Sequence, residues 1–347
     1  MNRLTSLYLD VVRLTAAMIV FLGHSSGQAF TGGLFWQLGT YLQTAVIMFF
    51  VLSGYVIAFV TDTKEKKLSD YSIARISRLL SVVIPALFIT AICDYIGLQI
   101  DPSFYIDGPW GYPEGNQVLN YILSFFLIQN LHGLALNPGI NGPFWSLSFE
   151  FAYYFIFAAA LFLTGIKRFA IIVLALLISG PAIVALFPIW LMGYFLYFLH
   201  KSNKPFINQY LEIAISITCL LLLIFASPWV RDNFTFAFYG RYLIADYFEA
   251  IVFTLHLLFV PSLLIKLGHI LEACSSFIRW TASLTFALYL FHRPLIQLFV
   301  LISPEEPSSW LTRAIVLLGT LAIIITLGRW SEKQKYTIKK LITPLFK

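Results

Sequence analysis

Residues 41–60 read YLQTAVIMFFVLSGYVIAFV, twenty consecutive positions without a charged side chain. A helix of that length rises about 30 Å, the thickness of a bilayer's hydrocarbon core. Such a run reads as a membrane-spanning helix.

The pattern recurs in both directions from it. Mostly apolar runs cover residues 6–25, 79–98, 144–163, 169–187, 187–200, 211–227, 245–266, 282–302 and 311–330, so with 41–60 the sequence predicts about ten crossings, of which 187–200 is the shortest. Composition agrees. The 347 residues are 59% hydrophobic and 12% charged, where water-soluble domains carry about 25% charged residues. The 17% aromatic content suits interfacial belts. The predicted fold class is therefore an all-α, polytopic membrane protein with one transmembrane domain over residues 1–347.

Loop charge orients it. Lys and Arg gather at Arg3; at Lys64, Lys66, Lys67, Arg75 and Arg78; at Lys167 and Arg168; at Lys201 and Lys204; at Lys266 and Arg279; and in residues 329–347. With ten crossings all of these fall on one side, which the positive-inside rule makes cytoplasmic. Residues 118–136 form a further apolar stretch, either a span or a re-entrant or interfacial segment. Counting it as a span would move Lys167, Arg168, Lys201 and Lys204 to the other side. The expectation is thus an extracytoplasmic excursion over residues 99–143 with a re-entrant helix, a basic cytoplasmic tail over 331–347, and both termini inside a cytoplasmic (inner) membrane. The first apolar run is expected to be retained rather than cleaved as a signal peptide, because Asp10 and Arg13 interrupt it early. The net charge of +6 sits in short loops, so it encodes topology and not nucleic-acid binding. Cys93, Cys219 and Cys274 show no metal-ligand spacing, and no metal is expected.

Ionisable residues inside spans are expensive and usually functional. The first helix holds Asp10, Arg13 and His24. Arg13 and His24 are eleven residues apart, which puts them on one helix face and about 16 Å apart along the axis. Arg13 also reads as a snorkelling interfacial cation, and His24 as a polar cap at a helix end. Ser53-Gly54 allows close approach of a neighbouring helix. Arg75 and Arg78, three apart, offer two guanidinium forks to phosphate or simply anchor a cytoplasmic loop. Trp145-Ser146-Leu147-Ser148-Phe149-Glu150 opens another helix, followed by Tyr153, and places a carboxylate one to two turns into the membrane. Glu150 is expected at the level of His24, where a His–carboxylate pair would orient a general base or form a structural ion pair. His292 and Arg293 lie mid-span, with Pro294 able to kink the helix; a structural hydrogen-bonding role is expected there.

These residues carry a resemblance. Leu9-Asp10 with Arg13 and His24, Phe49-Phe50 with Ser53-Gly54, Arg75 with Arg78, Trp145 through Glu150, and Tyr289-Leu290-Phe291-His292 occur in the order seen in the acyltransferase-3 family of membrane acyltransferases, over nearly the whole chain. Phe149 stands where the family often has Val, and Arg293 where an aromatic residue is common. The resemblance implies an acyl-CoA donor, acetyl-CoA in the commonest case, and an extracytoplasmic glycan or lipid-linked glycan as acceptor in a lipid environment. On that reading Arg75, Arg78 and Arg13 hold the donor's phosphates, and a slim pantetheine arm spans the depth from Arg13 to His24. His24, oriented by Glu150, takes the proton from the acceptor hydroxyl. Asp10, Ser53, Gly54, Trp145, Ser146, Ser148, Tyr153 and His292 are the supporting residues. Direct transfer is favoured over an acyl-enzyme relay, since no nucleophilic Ser or Cys stands out. Some relatives append an esterase-like domain; without one in these residues, acceptor selection is expected from the membrane part or a partner. The rival reading is a transporter or flippase. It is weaker because no internal repeat is found and the ionisable residues concentrate in two helices and one loop.

Overall fold

The computed structural model describes residues 2–202 and 207–346; Lys204 and Lys347, counted above in the basic clusters, lie outside the described residues. In chain order the helices are α1 (Arg3–Ser25), α2 (Gln28–Thr31), α3 (Leu42–Thr63), α4 (Leu68–Ile100), α5 (Pro102–Ile106), α6 (Gln117–Phe125), α7 (Trp145–Phe162), α8 (Gly165–Ser179), α9 (Pro181–Lys201), α10 (Gln209–Asn233), α11 (Leu243–Ala273), α12 (Ser275–Ser283) and α13 (Thr285–Leu301). A last helical run, Trp310–Phe346, contains α14 (Trp310–Ala314), α15 (Thr320–Ile323) and α16 (Arg329–Ile342), joined by π-helical turns. A two-residue hairpin, Ala237–Phe238 with Arg241–Tyr242, is the β-structure among the described residues.

Polar residues start these helices where the sequence supplies them. Asn2 accepts from the Thr5 amide at 2.7 Å, Asn116 from that of Leu119 at 3.2 Å, and Ser309 from that of Thr312 at 3.1 Å. Each satisfies an orphan donor of a first turn.

Among the described residues, eight helices are long and apolar enough to cross a membrane, and a ninth crossing is formed if α12 and α13, bent by 49° at their junction, count as one. The difference from ten lies at residues 169–187. Gly180 (φ 85°) and Pro181 break that stretch, leaving α8 only 15 residues long. That is about 22 Å, short of a full hydrocarbon core. The following helix gains what α8 loses: α9 runs for 21 residues, longer than the expected 187–200. The ambiguous stretch 118–136 holds only the nine-residue α6, then irregular backbone, and is not among the helices long enough to cross.

The chain divides into two compact units. The first comprises Met1–Ala16, Tyr41–Lys66 and Ser179–Ala282. In it α3 and α9 approach to backbone contact: a Cβ on Gly54 would overlap the Trp190 carbonyl, and one on Gly193 would overlap that of Val51. The same face hydrogen-bonds Trp190 Nε1 to Ser53 Oγ at 3.2 Å. Ser53-Gly54 is thus a helix-packing site, as small residues at membrane helix interfaces commonly are. Near the end of α10, Arg231 Nη2 donates to Asp246 at 2.9 Å and to Glu249 at 2.6 Å. Glu249 also accepts from Ser227 at 2.5 Å and Thr44 at 2.9 Å. Both carboxylates are fully buried.

The second unit comprises Ala17–Thr40, Lys67–Ile178 and Ser283–Lys347. Its long helix α4 packs against α13 and α16, and it carries the site described next.

Candidate active site

His24 lies in the last turn of α1. Its Nδ1 stands 3.0 Å from the Val20 carbonyl, one turn back, and 3.0 Å from Nε2 of His292 on α13. His292 Nδ1 in turn stands 2.9 Å from the Leu288 carbonyl. These contacts fix the protons by elimination. A carbonyl only accepts, so a neutral His292 carries its hydrogen on Nδ1 and offers the Nε2 lone pair. His24 Nδ1 then faces two acceptors, and it must carry the hydrogen of its own ring. The remaining nitrogen, His24 Nε2, is left with a lone pair. His292 is fully buried, with Phe21 edge-on to its ring at 6.4 Å, whereas His24 is only partly buried. The outer ring of the pair is therefore the one a substrate can reach.

Three further residues close around this pair. The Trp110 indole meets His24 edge-on at 5.9 Å and lies on Phe30 at 4.1 Å. The Arg293 guanidinium sits 4.6 Å above the same indole. Gly142 leaves room for it, since a Cβ there would overlap the guanidinium. Arg293 makes no hydrogen bond or ion pair among the described residues, and its Nε is buried without a partner.

The loop that carries Gly142 is pinned by its own polar atoms. The Ile140 amide donates to Asp94 at 3.3 Å, and Gln129 Nε2 to the Phe144 carbonyl at 2.6 Å. Asn141 Nδ2 donates to Thr90 Oγ1 and to the Leu290 carbonyl, both at 2.9 Å. The last bond depends on Pro294. Proline has no amide hydrogen, so the carbonyl four residues earlier, that of Leu290, loses its helical partner, and Asn141 takes it. Pro294 does not break the helix: α13 runs unbroken from Thr285 to Leu301, and a 49° bend separates it from α12 at Leu284. The supporting serines are bonded here too. Ser146 Oγ is 2.9 Å from Tyr289 OH, and Ser148 Oγ accepts from the Asn130 amide at 3.2 Å. Trp145 stands edge-on to Phe149 at 5.1 Å, and Phe149 to Tyr153 at 6.4 Å.

A second cluster joins α4 and α7. Arg75 is buried, with its guanidinium 5.5 Å from the Tyr71 ring and 5.8 Å from the Tyr154 ring. Tyr71 OH donates to the Tyr154 carbonyl at 3.1 Å, and Tyr154 OH donates to Glu150. Arg78, one turn on, is exposed. The structure therefore brings Glu150 together with Tyr154 and pairs His24 with His292; the expected His24–Glu150 hydrogen bond is not formed. Arg13 ion-pairs with Asp10 at 3.3 Å, and the other oxygen of Asp10 takes Arg279. Among the described residues no three His, Cys, Asp or Glu side chains are grouped to hold a metal ion.

Two residues of the site escape a reading of the sequence, and a third is read only in part. Trp110 lies in an irregular loop and Asn141 before a helix, where no periodicity marks them. Arg293 had a signal, an ionisable group mid-span, but not its isolation from any carboxylate.

A multi-pass helical scaffold around this imidazole pair fits a membrane-embedded enzyme equipped for acid–base chemistry. The family model described as an acyltransferase domain matches residues 6–329, and the chain belongs to that family, the acyltransferase-3 family recognised above from its motifs. It is similar to an O-acetyl transferase of Shigella phage Sf6, 25% identical over 315 residues, which cover 74% of this chain and 89% of that protein. No solved structure matches it. The protein is a multi-pass membrane O-acyltransferase.

Proposed function

We propose that this enzyme transfers an acetyl group from cytoplasmic acetyl-CoA to a hydroxyl of an extracytoplasmic glycan or lipid-linked glycan, with His24 as general base. The supporting observation is the His24–His292 contact at 3.0 Å, which leaves a lone pair on the accessible ring nitrogen of His24. In this reading the acceptor hydroxyl gives its proton to His24 Nε2 while its oxygen bonds the thioester carbon. The carbon–sulfur bond then breaks, and the CoA thiolate recovers the proton. General-base assistance of this kind contributes about 10²–10⁴ in rate.

The positioning role expected of Glu150 falls to His292, a neutral imidazole that accepts from His24 Nδ1. Glu150 goes with Tyr154, Arg75 and Arg78 at the donor end, where guanidinium groups would hold the phosphates of CoA. Arg13, on the same helix as His24, is a further proposed donor contact. The membrane is the cytoplasmic (inner) one, with both termini inside. That arrangement requires α8, which exposes Phe169, Leu174 and Leu177, to complete a tenth crossing.

The test uses the full-length protein in membranes with labelled acetyl-CoA and surface glycan. His24→Ala, at normal levels of folded protein, is expected to lose transfer by about 10²–10⁴-fold; full activity would remove His24 from the mechanism. The double change Arg75→Ala, Arg78→Ala is expected to raise the apparent KM for acetyl-CoA more than that for the acceptor. An unchanged donor KM would leave those arginines as topology anchors.

A further inference from the structure

An unpaired charge in a low-dielectric interior costs several kcal/mol. Arg293, half-buried, bears part of that cost: no carboxylate among the described residues pairs with it, and its buried Nε has no partner. The Trp110 face at 4.6 Å offsets only part of it, since a cation–π contact is weaker than an ion pair. The guanidinium is nonetheless held in place, between the indole and the backbone at Gly142. It sits next to His292 in the chain, and the indole it covers meets His24 edge-on at 5.9 Å. A fixed guanidinium is a two-toothed donor for a carboxylate or phosphate.

Its place argues for an anion that arrives with the substrate. A cation beside a general base opposes the positive charge the base acquires on taking a proton. A resident carboxylate would cancel that opposition permanently, but none among the described residues pairs with the guanidinium. An anion on the acceptor would cancel it only when an acceptor is bound.

We propose that Arg293 is the recognition residue for an anionic group carried by the acceptor, so that the enzyme acylates hydroxyls of acidic sugars, bearing carboxylate or phosphate, in preference to neutral ones. The inference rests on the acceptor reading above. The guanidinium pairs with the sugar's anion, sets the neighbouring hydroxyl toward His24 Nε2, and loses its opposition to proton uptake in the same event.

The first measurement needs no turnover. Purified full-length protein is melted with glucuronate, glucose 6-phosphate or glucose. At least one anionic sugar is expected to raise Tm where glucose does not, and which one does so identifies carboxylate or phosphate. Arg293→Gln is expected to abolish the shift and Arg293→Lys to keep part of it. The second measurement follows acetyl transfer to a glucuronate- or phosphate-containing oligosaccharide, as the first measurement directs, and to its uncharged ester. A preference of roughly tenfold or more in kcat/KM for the charged acceptor is expected, collapsing toward one in Arg293→Gln.

Equal melting in all three sugars, or a shift that survives Arg293→Gln, overturns the proposal. So does an equal fall with both acceptors, which would give Arg293 the role of stabilising the oxyanion of the transition state. If the anion-specific shift is lost in Arg293→Gln but no acceptor is ever acetylated from acetyl-CoA, the anion site stands and the donor–acceptor reading fails.

Discussion

Each of the two units holds a half-buried arginine near polar company, Arg231 and Arg293, and they treat it in opposite ways. In the first, Arg231 is forked between two fully buried carboxylates, Asp246 and Glu249, with Ser227 and Thr44 completing the shell of Glu249. In the second, Arg293 has an indole face and a glycine for neighbours, follows His292 in the chain, and has no carboxylate partner among the described residues. Charge met within the fold is architecture. Charge left unmet beside the His24–His292 pair is, on the proposal above, held for an anion of the acceptor.

The widest gap is expected in stability. Arg231→Ala strands two carboxylates and should destabilise by about 3–5 kcal/mol, as breaking a buried ion pair does. Arg293→Ala strands none, and thermal unfolding should show it no less stable than the parent. Comparable losses in both would erase the distinction between the two arginines.

Next in size is His292→Phe, which keeps an apolar ring but removes one of the two acceptors around His24 Nδ1 and with it the contact that orients the His24 ring. Transfer should fall by roughly 10–100-fold, equivalent to about 1.4–2.7 kcal/mol in the barrier, at an unchanged KM for acetyl-CoA. A change confined to that KM would move His292 to the donor end. Asn141→Ala should cost about 1–3 kcal/mol in thermal unfolding, because the Leu290 carbonyl freed by Pro294 would lose its partner.

The smallest effect is at Asp101, which lies outside the spans and caps α5 by accepting from Ser103 Oγ at 2.6 Å and the Phe104 amide at 3.0 Å. Those bonds hold its carboxyl below the usual carboxylate range. The cap is therefore fully present above the ordinary carboxylate pKa and is lost as pH falls through the depressed one. Exchange of the amides of residues 103–106 should quicken only under acid conditions. Exchange that quickens near neutrality would show that α5 is held by other means.

The scaffold was legible because lipid imposes a one-dimensional rule, and runs such as residues 41–60 obey it. The rule fails where length is marginal: Gly180 and Pro181 cut residues 169–187 into a short helix and the start of a longer one. Ser53-Gly54 and the serines after Trp145 announced packing and bonding sites, but not their partners. The pairing of His24 was not readable. Equal membrane depth suggested Glu150, yet depth leaves open which faces meet, and α7 aims that carboxylate along its own axis to Tyr154, four residues on. The ring facing His24 comes from α13, 268 positions away in sequence. Trp110 is harder still, since an irregular loop has no period from which to infer direction.

Pro294 turns the usual logic of helix repair around. Exchanging an interior proline for alanine restores a missing amide, and on propensity alone it should firm the helix. At this position the new amide would compete with Asn141 for the Leu290 carbonyl. The loop that seats Gly142 under the arginine would then lose its tie to the helix bearing His292. A more fully bonded α13 would come with a looser loop, so the gap that the proline leaves in the helix's bonding is what ties Asn141 to the helix bearing His292.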